Sequence, residues 1–181
     1  MRKLKNEELL RKTVSEFKSS LKTPLVIILD NVRSAYNVGS VFRTADAFLA
    51  EAIYLCGITA KPPHKGIQKT ALGSTETVDW KSFAKTEDAI EELHDQNFQI
   101  IAVEQTDKSI LLNEFIPAKN KKYAVIFGNE VSGVSEESVR LADASIEIPQ
   151  FGMKHSLNIS VCAGIVMWEL FRKMRTLNAK Y

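Results

Sequence analysis

Five stretches of the chain are apolar with little alternation: LVIILD (25–30), EAIYLCG (51–57), FQIIAVE (98–104), KYAVIFG (122–128) and ASIEIP (144–149). A strand buried on both faces reads this way, which points to parallel rather than antiparallel pairing. Between and around them the apolar positions change to a helical period. Leu9, Leu10, Val14, Phe17 and Leu21 predict a helix over 4–21. Similar spacing predicts helices over about 38–50, 86–96, 134–142 and 156–176. Strands alternating with helices specify an α/β fold, a mostly parallel sheet flanked by helices. In such sheets ligands bind outside the carboxyl ends of the strands. Those ends are small or polar here: Asp30-Asn31, Gly57, Glu104-Gln105, Gly128-Asn129-Glu130 and Pro149-Gln150. No repeat or linker interrupts the pattern, so one domain is expected over 24–181, with 1–23 as a basic helical extension. The last helix is apolar nearly all round, through Leu157, Ile159, Val161, Ile165, Val166, Trp168, Leu170 and Phe171. A helix of that kind is expected to be buried.

Composition changes this picture little. At 181 residues, with 45% hydrophobic and 25% charged residues, the chain suits one globular domain. No apolar run approaches the ~18 residues of a membrane span, and the charged N-terminus has no signal-peptide core. Cys56 and Cys162 lie far apart in apolar surroundings, so a reduced, cytoplasmic protein is expected. Net charge is only +2, but residues 1–22 carry seven Lys or Arg against three Glu. Further basic clusters are Lys61, Lys65 and Lys69; Lys119, Lys121 and Lys122; and Arg172, Lys173 and Arg175. Such clusters are either a footprint for nucleic acid or solvated surface.

The common nucleotide and hydrolase signatures are missing. No G-x-G-x-x-G follows the first strand. In GNEVSGVS (128–135) Val134 stands where a phosphate loop needs lysine. His64, His94 and His155 have no metal-ligand spacing with each other or with cysteine, so no metal is expected. No G-x-S-x-G nucleophile elbow is present.

Three segments remain as carriers of chemistry. In 31–48, Asn37 can cap the helix that follows, and Arg43 lies in its second turn among Val41, Phe42 and Ala45. A cation there opposes the helix dipole and suits an anionic ligand, or is simply a surface arginine. In YAVIFGNEVSGV, Gly128 and Gly133 allow close backbone approach beside Glu130, or make an ordinary turn. In IPQFGMKHSLNIS (148–160), Ser156 and Asn158 flank Leu157, and either can cap the last helix.

Together, N-x-G-S-x-x-R-T-A, F-G-N-E-x-x-G and I-P-Q-x-G-x-x-x-S-L-N-I-S, in this order, resemble the three motifs of the SpoU-type (TrmH-like) RNA ribose 2′-O-methyltransferases of the SPOUT superfamily. The resemblance spans roughly residues 24–175. VEQTDKS and the last motif look most like the catalytic domains of eukaryotic tRNA guanosine methyltransferases. The resemblance implies a C-terminal trefoil knot, with loops at 128–134 and 148–157, that holds S-adenosylmethionine. Backbone around Gly128, Ile148 and Leu157, with Val103 and Glu104 beside it, would bind that cofactor. Arg43 matches the family's catalytic arginine, and Asn37, Glu130, Ser156 and Asn158 the polar residues that complete the site. Arginine is a poor free base, so the reading gives Arg43 the phosphate next to the target ribose. The 2′-hydroxyl proton then goes to a phosphate oxygen or to a perturbed Arg43. A homodimer is implied, and RNA as the partner. The favoured substrate is tRNA, at guanosine 18 of the D-loop. Ribosomal RNA is the alternative, and an RNA-binding homologue without chemistry a third reading. The catalytic dimer, the N-terminal helix and the 61–69 loop would read the RNA, with Lys154 and His155 on its backbone.

Overall fold

The apolar runs do form the centre of a parallel sheet. The computed structural model describes residues 1–9, 11–154 and 156–177. Its strands are β1 (Thr23–Asp30), β2 (Ala50–Cys56), β3 (Asp79–Phe83), β4 (Phe98–Val103), β5 (Ile110–Leu111), β6 (Lys122–Phe127) and β7 (Ala144–Glu147). They lie in the order β3-β2-β1-β6-β4-β7-β5, and all these neighbours pair in parallel. The helices are α1 (Val14–Ser19), α2 (Ala35–Ala47), α3 (Lys65–Ala71), α4 (Ser74–Thr77), α5 (Thr86–Asp95), α6 (Glu136–Leu141) and α7 (Ile159–Leu177), after a short 3-10 turn at Asn6–Glu8.

Side chains alternate across a strand, so β1 feeds two cores. Leu25, Ile27 and Leu29 face Val38, Val41 and Phe42 of α2, Ile67 of α3, and Ala163, Val166, Met167 and Leu170 of α7. Val26 and Ile28 face the other layer, with Ala89, Ile90 and Leu93 of α5, and Val134. Burying each such Leu or Ile stabilises the fold by about 1.5–3 kcal/mol.

Several predicted boundaries differ. The helix expected over 4–21 is broken: a capping box at Thr13 starts α1 afresh, with Thr13 Oγ1 accepting from Glu16 N–H and Glu16 Oε2 accepting from Thr13 N–H. Leu10, part of that expectation, lies outside the described residues. Phe17 anchors α1 in the core. Helix α2 starts at Ala35 rather than near 38, because Ser34 is its cap: Ser34 Oγ accepts from Asn37 N–H at 3.3 Å. Asn37 is therefore not a cap, and its amide is free for other work. Arg43 is the ninth of the thirteen residues of α2, beyond the first turns where the dipole acts on a cation. Helix α7 is not buried all round within its own chain. Ala163, Val166, Met167 and Leu170 are in the core, whereas Val161 and Trp168 are each 51% exposed, with Ile165 on the same stripe. Lys173 ties the far end of α7 to the chain after β5, donating to the carbonyls of Leu112 (2.9 Å), Asn113 (3.0 Å) and Phe115 (2.7 Å).

Candidate active site at the carboxyl ends of the central strands

From β1 the chain builds outward in two directions, β2 and β3 on one side and β6, β4, β7 and β5 on the other. The crevice above such a reversal is where open α/β sheets bind ligands. A cleft of about 920 Å³ opens beside that reversal, lined by the residues that follow β4, β6 and β7 and by the entry to α7. It holds Val103, Glu104, Gly128, Glu130, Ile148, Ser156, Leu157 and Asn158 of the sequence-predicted residues.

The loop after β6 is closed on itself. Asn129 and Gly133 exchange two backbone hydrogen bonds of 2.9 Å, and Asn129 Oδ1 accepts from Val131 N–H at 2.8 Å. The same residue's Nδ2 donates to Asn31 O at the end of β1, at 2.8 Å. The closure requires glycine at both limbs. A Cβ on Gly128 would lie 2.0 Å from Gly133 C, and one on Gly133, whose φ is +70°, would lie 2.2 Å from Glu104 Oε2. Glu104 in turn accepts from Val134 N–H and Gln105 N–H, each at 3.0 Å.

Glu130 projects from this loop across to the start of α2. Its carboxylate accepts from Arg33 N–H (2.9 Å), Ser34 N–H (3.0 Å) and Asn37 Nδ2 (2.9 Å). Partial burial pushes its pKa up, but hydrogen bonds from the backbone of Arg33, its own N–H, Asn37 and Ser34 outweigh this and leave it below the usual range. Asn37 Oδ1 accepts from Asn158 Nδ2 at 3.3 Å, and Asn158 Oδ1 accepts from Ser160 N–H at 2.9 Å. Asn158 thus meets the expectation that this segment caps the last helix, while its amide faces the site. Residues from three distant segments form one chain of polar contacts at the cleft mouth.

Arg43 does not join it. The side chain is exposed, makes no hydrogen bond or ion pair among the described residues, and does not line the cleft. Six helical residues carry it about 9 Å along the axis from Asn37.

Residues 24–168 match the sequence model of the SpoU rRNA Methylase family. The chain belongs to that family. It is 30% identical over 167 residues to the tRNA (guanosine(18)-2′-O)-methyltransferase of Aquifex aeolicus, covering 90% of this chain and 75% of that one. The solved structure of the A. aeolicus TrmH/SpoU tRNA modifying enzyme superposes with a TM-score of 0.80 at 29% identity, over 92% of this chain and 82% of that one. The AdoMet-bound rRNA methyltransferase from Sinorhizobium meliloti gives 0.77 at 32% identity, over 84% of this chain and 57% of that one.

In this SpoU methylase chain some site residues carry no motif of their own. The main-chain N–H groups of Arg33 and Ser34 fix Glu130, and no side-chain pattern announces them. Asp30, 1% exposed, accepts from Asn31 Nδ2 (2.8 Å), Thr86 Oγ1 (2.6 Å) and Ser135 N–H (3.0 Å). It pins the starts of α5 and α6 around the crevice, and an acid ending an apolar strand was its signal. Cys162 lines the cleft, but burial, with Glu104 nearby, pushes its thiol up to about 11. It stays a thiol at neutral pH and is no nucleophile. Among the described residues no His, Cys, Asp and Glu group is arranged to hold a metal, and no helix is long and apolar enough to cross a membrane. His155 falls outside the described residues; Lys154 is exposed.

Proposed function

We propose that this chain is an S-adenosylmethionine-dependent RNA methyltransferase acting on a ribose 2′-hydroxyl, with tRNA guanosine 18 as the target. The observation that carries the reading is the Asn37–Glu130–Asn158 chain of contacts at the mouth of a strand-end cleft. It unites the three motifs of a family whose matching relatives are named for tRNA and ribosomal RNA methylation.

The cleft suits the cofactor. Gly128 and Gly133 allow the tight loop that forms one wall, Val103, Ile148 and Leu157 give apolar walls, and the carboxylates of Glu104, Glu130 and Glu147 would suit a cationic sulfonium. When bound, S-adenosylmethionine supplies an electrophilic methyl group. The rest falls to the protein and the RNA. Asn37, Ser156 and Asn158 orient the ribose, and holding two reactants in line supplies much of a rate enhancement. Glu130 is a poor base because three donors already occupy its carboxylate and its pKa is lowered. Arg43, which lies outside the cleft of its own chain, takes its role from the family motif. It would grip the phosphate beside the target ribose with its planar fork, the hydroxyl proton leaving to a phosphate oxygen.

The same proposal includes the trefoil knot, with its loops at 128–134 and 148–157, and a homodimer. The stripe Val161, Ile165 and Trp168 of α7 is the support for the dimer: an apolar helix face left in water suits a second copy. Sedimentation equilibrium at micromolar concentration should give twice the chain mass; a clean monomer would remove the dimer.

The function is tested by calorimetry with S-adenosylmethionine and by ribose-methylation mapping of RNA from a deletion strain. Saturable binding and loss of the mark at tRNA guanosine 18 are expected. A lost ribosomal mark would reassign the substrate, and no cofactor binding would overturn the enzyme.

A further inference from the structure

Charge is sorted between two neighbouring surfaces. Among the described residues the cleft is lined by Glu104, Asp107, Glu130, Glu136 and Glu147 against Arg140. The segments 31–45 and 57–75 hold no Asp or Glu and carry Arg33, Arg43, Lys61, Lys65 and Lys69. All five are exposed, in a chain whose net charge is +2.

These two segments are packed together at van der Waals distance. A Cβ on Gly39 of α2 would lie 2.2 Å from Thr70 Oγ1 and 2.3 Å from Ile67 O of α3. Thr70 Oγ1 donates to Tyr36 O at 2.9 Å. The contact sets Lys69 Nζ 5.6 Å from the centroid of the Tyr36 ring, with Lys65 one helical turn before it. Neither lysine has an ion-pair partner among the described residues. Tyr36 is 53% exposed and directly precedes Asn37, which reaches Glu130 at the cleft mouth. An aromatic face in water, flanked by unneutralised cations and next to the reactive mouth, has the make-up of a stacking platform for single-stranded nucleic acid.

We infer that Tyr36, Lys65 and Lys69 form an RNA-docking surface. An unpaired base next to the target nucleotide stacks on the Tyr36 ring, and the flanking phosphates lie against Lys65 and Lys69. The inference rests on the RNA methyltransferase reading and gives it a place where the strand is held outside the cofactor cleft. Sequence-tolerant stacking and charge make this surface a source of affinity and register, not of base identity.

The test compares wild type with Lys65→Ala/Lys69→Ala, Tyr36→Ala and Tyr36→Phe. All three positions are exposed, so the fold should survive, and unchanged melting, S-adenosylmethionine affinity and sedimentation check this. Binding of an unmodified tRNA transcript is measured over a range of KCl concentrations. The double variant should lower the slope of log affinity against log salt by about 1.4–1.8, the release of two phosphate contacts. Tyr36→Ala should bind about tenfold more weakly, and Tyr36→Phe should bind as wild type does, since stacking needs the ring. Variants that bind the transcript with wild-type affinity and slope overturn the surface and leave the enzyme reading intact. A Tyr36→Ala chain that becomes a monomer assigns the ring to a subunit contact and also overturns it. Wild-type protein that binds cofactor but no tRNA removes both this surface and the tRNA reading.

Discussion

Arg43→Lys should bind S-adenosylmethionine as the unsubstituted protein does and transfer methyl about 10²–10³-fold more slowly, the loss typical of removing one donor that stabilises developing charge. The first half follows from position: Arg43 is exposed, does not line the cleft, and no described residue depends on its guanidinium. The second half follows from chemistry. A guanidinium presents two parallel N–H donors to a phosphate, whereas an ammonium offers a point charge with no fixed plane. Lysine preserves the charge, so general attraction of RNA remains and the loss falls on turnover. Single-turnover methyl transfer at saturating tRNA reads it directly. Near wild-type turnover would remove Arg43 from the catalytic set.

Gly128→Ala is expected to abolish cofactor binding at concentrations that saturate wild type, and to destabilise the fold by about 1–3 kcal/mol through overpacking. The added methyl group would meet Gly133 C at 2.0 Å and Val134 N at 2.1 Å, both main-chain atoms that cannot rotate aside. Relief requires the two limbs of the loop to part, which breaks the paired Asn129–Gly133 hydrogen bonds and moves Glu130 away from α2. Gly164→Ala is the matched control. Within its own chain nothing lies within 4 Å of its added Cβ, and it sits within α7, where alanine should stabilise the monomer fold by about 0.5–1 kcal/mol. Calorimetry with the cofactor and urea unfolding of both variants separate a local block from general loss of fold. Undiminished cofactor affinity in Gly128→Ala would show that the loop does not bound the cofactor.

The sheet was legible in sequence because its central strands are buried on both faces and therefore apolar throughout. The edge strand β3, DWKSF, has no buried residue and so left no such run. Helix α3 is too short for its two core side chains, Ile67 and Ala71, to establish a period. The break before α1 was written in T-V-S-E, a capping box that the apolar spacing of Leu9, Val14 and Phe17 masked. At the site, local reasoning misread Asn37 as a cap, since Ser34 three residues earlier is chemically as suitable. The partner that does claim Asn37 lies 93 residues away, a distance no local pattern can span. Likeness to a known family assembled Asn37, Glu130 and Asn158 before their geometry was known. It could not place Arg43 relative to the cleft of its own chain.

The strand order has a consequence for how the protein comes to exist. Strand β6 lies between β1 and β4, both of which precede it in the chain. Until about residue 127 has been synthesised, the inner edges of these two apolar strands have no partner. Unpaired apolar edges are templates for aggregation, and contacts of this sequence separation close slowly. A nascent chain therefore carries the open edge of β1 through the synthesis of β2, β3, β4 and β5, and that of β4 through the much shorter stretch from Val103 to β6. The gap between β1 and β4 closes only when the segment that ends in Gly128, Asn129 and Glu130 enters between them, so the strand that joins the two halves of the sheet also delivers the pocket loop.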